Sequence, residues 1–294
     1  MRNFEYLEPT TVAEACALLK RHGAEAKVFA GGAHLTILMK QGLYQPKVLV
    51  NIKKIPELRG IDFDPQCGLT IGALVTHHDL ETSPLVKQRL PVLSEAEKEV
   101  ANIRVRNMAT IGGNLASGEP LTDLAQIFIA LDGIAKVAGA GGQRTVALEE
   151  LFVDFYQTSL ADDEILTHVV LPPLAPKSGI EYIRFSSSSV VDKPSVGVAA
   201  RISLENDVCK IVRIVLGCVG ATPIRARKAE AVLTGRSLDA VLASEAGAIA
   251  GRECSPSSDL RGSEEYKRAI VRTLVKRAVS QSYARAQAEL DEKE

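Results

Sequence analysis

The chain has 294 residues, 46% of them apolar and 24% charged, with a formal net charge of −1. That length can bury a substantial core in one large domain or two, and the near-zero charge excludes bulk attraction to nucleic acid or to a membrane surface. No apolar run reaches spanning length, and Cys16, Cys67, Cys209, Cys218 and Cys254 are scattered with no CxxC pair, a spacing that fits neither a disulfide framework nor a zinc or iron–sulfur site.

The opening MRNFEYLEPT has no apolar signal core and no small-residue cleavage site, so the expected compartment is the cytoplasm. Thr11 with Glu14 reads as a capping box that starts a helix over VAEACALLKRH, and Gly23 stops it. AKVFA is a short strand, HLTILMKQ a helix ending at Gly42, and KVLVNI a buried strand. Together they complete a small βαβ-like unit by about residue 55. GLTIGALVT is a further strand, and HHDLETSPLVKQ opens a helix capped by Thr76. LPVLSEAEKEVA is a helix that leads into IRVRNMATIGGN. LTDLAQIFIALDG has helical periodicity, and IAKVAGAGGQRTVAL is a hairpin turning at GAGG.

EILTHVVLPPLAP is a strand ended by prolines, which sets a domain boundary near residue 175. EYIRFS, SVGVAARISLEND and CKIVRIVLGCVG follow as strands suited to an antiparallel sheet, interrupted only by the low-complexity SSSS at 186–189. Helices are expected over RKAEAVLTG, LDAVLASEAGAIAG and the long SEEYKRAIVRTLVKRAVSQSYARAQAEL. The last is basic and amphipathic, and its stripe of Ile270, Leu274, Val275 and Val279 is expected to pack on its own domain. The class is α+β, in two or three subdomains.

Two glycine pairs stand out, each between a strand-like and a helix-like segment: Gly31-Gly32 in VFAGGAHLTILMK and Gly112-Gly113 in MATIGGNLASGEPLTDLAQ. Glycine admits positive φ and close backbone approach, so successive N–H groups can converge on an anion at a helix N-terminus. A single such pair is an ordinary tight turn, but two in one context favour an extended anionic ligand such as a dinucleotide. Neither matches GxGxxG or a P-loop. Thr110 and Asn114 add hydroxyl and amide groups beside the second pair. Asp123 could accept from a sugar hydroxyl, or sit at a helix N-terminus for dipole reasons alone. His77-His78-Asp79 is not a metal motif, because adjacent histidines cannot face one side and no second cluster supplies ligands; a helix-capping loop is the better reading.

AGGAHLTILMK, NIRVRNMATIGGNLASGEPLTDLAQIFIALD and GATPIRARKAEAVLTGR together resemble the FAD-binding medium subunit of the molybdenum hydroxylases, the family of aerobic carbon monoxide dehydrogenase and xanthine dehydrogenase. The likeness runs from FEYLEPTTVAEACALL to EEYKRAIVRTLVKRA. It implies a PCMH-type (vanillyl-alcohol-oxidase-like) FAD-binding fold over residues 1–175, divided into a small subdomain at 1–55 and a second at 56–175. A C-terminal domain of three-stranded antiparallel sheet and helices would cover 176–294.

By the same resemblance Ala30, Gly31, Gly32, Ala33, His34 and Leu35 form a first pyrophosphate loop, and Thr110, Ile111, Gly112, Gly113 and Asn114 a second. Asp123 lies on the ribityl or sugar side and Leu166 falls where the family packs an aliphatic chain on the flavin. Arg184 falls where the family has a basic residue near the pyrimidine edge; from the strand alone it reads equally well as a surface arginine. Lys193 in VVDKPSVGVAA replaces an often aromatic residue that shields the flavin, leaving that face more open or more cationic and the acceptor's identity undecided. His34 beside a glycine pair suggests covalent flavin attachment, but the resemblance implies that FAD is held non-covalently.

The implied function is an electron-transfer subunit with no catalytic residue toward the organic substrate and no metal of its own. The 2Fe–2S clusters would lie in a small partner subunit and a molybdopterin cofactor in a large one, the whole a dimer of heterotrimers. The absence of clustered cysteines argues against the benzoyl-CoA-reductase branch, which carries an extra 4Fe–4S insertion. The alternative is a self-sufficient PCMH-type flavin oxidoreductase, against which stand the lack of any Trp and an aromatic content of 4%. A flavin-free binding protein would require both glycine loops to be plain turns.

Overall fold

The computed structural model describes residues 3–187, 189 and 192–291, so that Ser188 of the serine run and Val190 and Val191 before Asp192 lie outside the described residues. The chain opens with a three-stranded parallel sheet in the order Glu5–Leu7, Val48–Asn51, Ala26–Phe29. The first of these strands is too short and too exposed to leave a hydrophobic period. Val48–Asn51 is buried along its whole length because it is the middle strand. The helix Val12–His22 covers this sheet with Ala15, Cys16 and Leu19. Its cap is offset from the expected box. Thr11 Oγ1 accepts from the Glu14 amide at 3.2 Å, but the Glu14 carboxylate takes the amide of Thr10 at 2.8 Å rather than that of Thr11.

A five-stranded antiparallel sheet follows, in the order Ile61–Asp64, Gly68–Gly72, Ile165–Leu171, Ile134–Gly139, Gly142–Ala147. Ile61–Asp64 alternates half-buried Ile61 and Phe63 with exposed aspartates, as a charged edge strand does. The expected hairpin turns at Ala140-Gly141, where Gly139 faces Gly142. Between Gly72 and Ile134 the chain runs through short helices, ending with Leu124–Ala130, which is buried throughout and carries Phe128 into the core of this sheet. The helix expected over LPVLSEAEKEVA stops at Glu97, because the chain turns through Ala101 at φ 45 before Asn102 caps Ile103–Arg106.

The chain leaves this sheet at Leu171 and enters a four-stranded antiparallel sheet at Ser178, ordered Ser178–Phe185, Val196–Glu205, Val208–Gly217, Ile224–Arg225. The fourth strand, two residues long, corrects the three-stranded expectation; it is too short to show a period. The sheet has apolar residues on both faces. Ala199 and Val215 join the core around Leu124–Ala130, whereas Val198, Ala200 and Ile202 pack on the other face with Val271, Leu274, Val275 and Val279 of the long helix Glu264–Asp291. The terminal helix stripe therefore packs on its own domain. Ion pairs join the layers: Asp132 accepts from Arg201 at 2.5 Å and from Arg213 at 2.7 Å, and Arg225 bridges Glu230 and Glu149. Among the described residues no helix is long and apolar enough to cross a membrane.

Candidate functional site

A cleft of about 1210 Å³ runs between the parallel sheet, the five-stranded sheet and the segment Asp192–Pro194, larger than the ~300–1,000 Å³ of a drug-sized pocket. Both glycine pairs lie on its wall, with Leu166, Asp123 and Lys193. The sequence spreads these residues over most of the chain; the packing of sheet on sheet brings them together.

The first loop leaves the strand Ala26–Phe29 and enters the helix Leu35–Gln41 through Gly32, which takes φ +75. The Gly32 carbonyl is used, accepting from the Thr36 amide and from Thr36 Oγ1. The amides of Gly31, Gly32, Ala33, His34 and Leu35 have no acceptor among the described residues. Unpaired backbone amides on a cleft wall are costly unless a ligand or water takes them, and a row of them is an anion cradle.

The second loop is built differently. Thr110 caps Ile111–Ala116, its Oγ1 accepting from the Gly113 amide at 3.2 Å, and the Asn114 amide returns to the Thr110 carbonyl at 2.8 Å. The Ile111 and Gly112 amides bond Val75 and Ala73 carbonyls at 2.8 and 3.0 Å. Four of this loop's amides are thus used within the protein, those of Ile111 and Gly112 on the segment Ala73–His77 and those of Gly113 and Asn114 on Thr110, while the Thr110 amide has no acceptor among the described residues. Gly112 is glycine because that seam is tight, since a Cβ there would meet the Ala73 side chain at 2.5 Å. Ile111 is wholly buried and faces the core rather than the cleft. This loop offers the cleft side chains instead, above all Asn114, whose Oδ1 is buried and unpaired.

Asp123 is 6% exposed and precedes Leu124–Ala130, yet its side chain makes no capping bond. Its Oδ1 accepts from Tyr182 Oη at 2.7 Å and lies 3.3 Å from Arg184 Nε. Burial pushes the Asp123 carboxyl up, against the pull of Arg184 and the Tyr182 hydrogen bond. Arg184 is neither a surface arginine nor a lining residue. It is buried behind Asp123, donates to the backbone carbonyls of Glu99 and Asp192, and so backs two residues of the cleft wall, Asp123 and Asp192. Leu166 lies beside a β-bulge where the register shifts between Leu166 and His168, a device that re-aims side chains.

At the mouth Lys193 Nζ stands 2.6 Å from Glu119 Oε2, and Tyr156 Oη donates to Glu119 Oε1 at 3.2 Å. His34 stacks on the Tyr156 ring at 5.9 Å and 23°, with Nδ1 3.9 Å from Glu119. Burial lowers the His34 pKa, Glu119 opposing. The Lys193 charge is therefore compensated by Glu119, which leaves the more open face as the better supported of the two alternatives at this position.

Sequence reasoning missed Glu119, Tyr156 and the inner pair of His77 and Glu97. No spacing links these residues; Glu119, Tyr156 and His77 share the cleft wall, and Glu97 is buried behind His77. The Thr76–Asp79 capping box holds, but the helix it starts turns His78 outward to Glu81 and His77 inward, 2.8 Å from Glu97.

An FAD-sized ligand fits these donors. Free amides on one side suit a diphosphate, and the unpaired Asn114 oxygen and the Asp123 carboxylate suit hydroxyl donors.

Residues 2–174 match the family model described as the FAD binding domain in molybdopterin dehydrogenase, and residues 182–282 match the CO dehydrogenase flavoprotein C-terminal domain. The carbon monoxide dehydrogenase medium chain of Hydrogenophaga pseudoflava is 37% identical over 96% of this chain and 98% of its own length. The alpha subunit of the 6-hydroxypseudooxynicotine dehydrogenase complex of Paenarthrobacter nicotinovorans is 33% identical over 97% and 96%. A solved carbon monoxide dehydrogenase from Hydrogenophaga pseudoflava, lacking the Mo-pyranopterin moiety of its cofactor, superposes with a TM-score of 0.93 at 37% identity, covering 97% of this chain and 98% of that one.

Proposed function

This chain belongs to the family of FAD-binding medium subunits of molybdenum hydroxylases, and from that premise we propose how its cleft holds the cofactor. The amides of Gly31 to Leu35, with Ala30 at the strand end, take the diphosphate. Thr110 and Asn114 supply side-chain hydrogen bonds from the second loop, packed beside the first, while Ile111, Gly112 and Gly113 hold that loop in place. Asp123, held by Arg184 and Tyr182, accepts from the ribityl chain, Leu166 supports the ring and Lys193 borders it. The observation that supports this most is the row of unpaired amides along the first loop.

FAD supplies the exchange between electrons arriving from a partner's iron–sulfur clusters and an external acceptor. The chain's own residues bind it, exclude water from its inner edge and fix the charges around it. No side chain here acts on the organic substrate; that chemistry belongs to the large molybdopterin subunit. The chain works as one subunit of a multi-subunit enzyme, and the assembly proposed is a dimer of heterotrimers in the cytoplasm.

The test is steady-state oxidation of candidate substrates with a dye acceptor, using the lone FAD-loaded chain and the reconstituted complex. The lone chain is expected to hold about one FAD and turn nothing over. Substrate oxidation by the lone chain would replace this reading with a self-sufficient flavoenzyme.

A further inference from the structure

At the inner end of the cleft lies a buried acid–base pair that the binding scheme above leaves unused. His77 is 1% exposed and lines the cleft; Glu97, on the neighbouring helix Pro91–Glu97, is 0% exposed. His77 Nδ1 and Glu97 Oε2 are 2.8 Å apart. The remaining ring nitrogen, Nε2, has no partner among the described residues, and Glu97 Oε1 is buried and unpaired. The His77 amide donates to the Ala109 carbonyl, and Thr76 pairs with Thr110, so the imidazole is anchored directly beside the second glycine loop.

The charge state of such a pair follows from its burial. A lone carboxylate at this depth, with only a neutral imidazole beside it, would be an uncompensated buried charge. Burial favours the protonated Glu97 carboxyl, which then donates to Nδ1 and leaves the ring N–H on Nε2. The surroundings reinforce this. Glu81, paired with Arg106 at 2.9 Å, and Asp123, with Arg184 and Tyr182, face the pair from the adjoining elements. Burial pushes the Glu97 carboxyl up, Asp123 and Glu81 add to that, and His77 opposes it.

We propose that His77, its Nδ1 held by Glu97, presents Nε2–H to bound FAD as a hydrogen-bond donor, with Glu97 as the positioning residue that keeps the proton there. The proposal rests on the reading of this cleft as the FAD site. It gives the inner wall a donor to complement the acceptors Asn114 and Asp123. It also predicts a pH signature. When Glu97, whose carboxyl burial pushes up, loses its proton as pH rises, Nδ1–H faces carboxylate and Nε2 turns from donor to acceptor. Replacement of Glu97 by glutamine removes that carboxyl's titration while keeping a hydrogen-bonding partner for Nδ1.

The test is FAD titration of the full-length chain as wild type, His77→Phe and Glu97→Gln, between pH ~6 and ~9, with thermal unfolding checked for each. His77→Phe is expected to bind FAD roughly tenfold more weakly near neutral pH, the loss of one hydrogen bond. Wild-type affinity is expected to fall toward the alkaline end, and that of Glu97→Gln to stay level. Equal affinity of wild type and His77→Phe, or one shared pH profile for wild type and Glu97→Gln, overturns the proposal. If His77→Phe does not fold, the comparison of the other two profiles decides alone. Failure of wild type to bind FAD at any pH would instead remove the cleft reading on which this depends.

Discussion

Gly31 lies with its Cα against the backbone of Met108, so that a Cβ built on it would stand 2.0 Å from the Met108 carbonyl oxygen. The two glycine loops, far apart in sequence, are thus in backbone contact, and the first loop is braced by the segment leading into the second. The pairs divide their labour. Gly31 and Gly112 permit close packing of protein on protein, while Gly32 supplies the positive φ that turns the chain into its helix.

Gly31→Ala is therefore expected to cost stability and cofactor together. The methyl group must displace backbone, at about 1–3 kcal/mol for overpacking, and the shift moves the free amides. Flavin per chain after purification is the measurement. A Gly31→Ala chain with full flavin and unchanged melting would show that the loop is not the cradle.

Asn114→Leu is expected to separate the two properties. The buried Oδ1 has no partner among the described residues, so an apolar replacement of similar size should leave the flavin-free chain as stable as before or more so. FAD affinity should fall about tenfold if the amide bonds the cofactor. Thermal unfolding without FAD and titration with FAD read the two effects separately; unchanged affinity would remove Asn114 from the site.

Acid precipitation is expected to release FAD into the supernatant. His34 is packed flat on Tyr156 and directed to Glu119, and burial keeps its imidazole toward the neutral form. It has structural work at the cleft mouth that does not require a bond to flavin. Flavin absorbance that stays with the precipitate would contradict this.

Asp132 is expected to set part of the acid stability. Burial raises its carboxyl pKa, but hydrogen bonds from Arg213 and Arg201 and their charges outweigh this and hold it below the usual range. A depressed folded-state pKa contributes stability above the unfolded value of ~3.9 and loses it as pH falls through the folded value. Asp132→Asn should destabilise by about 2 kcal/mol at neutral pH, less than a wholly buried pair, because the Asp132 side chain is 39% exposed while that of Arg201 is 8%. Its stability should also decline less below pH ~4. Denaturant midpoints of both proteins across that range are the check, and parallel declines would refute the assignment.

Much of this could be read from residue order because it depends on local physics. Thr11, Thr76 and Gly42 mark helix ends through hydrogen bonds and dihedral angles that span only a few residues. SVGVAARISL is apolar without alternation, as suits a strand with a core on each face. The glycine pairs, both on the cleft wall, were legible for the same reason, since a strand–turn–helix junction is a local object. The sequence by itself therefore determined most of the elements, their class and the family. What it could not determine was which of those amides are free: in the second loop those of Ile111 and Gly112 are consumed by Val75 and Ala73, carbonyls that become neighbours only when the sheets pack. Tertiary structure likewise decided that Arg184 stands behind Asp123, that Glu119 neutralises Lys193, and that His77 meets Glu97. Each of those is an electrostatic relation between side chains distant in sequence, and Coulomb and hydrogen-bond energies depend on separation in space, which no pattern along the chain encodes.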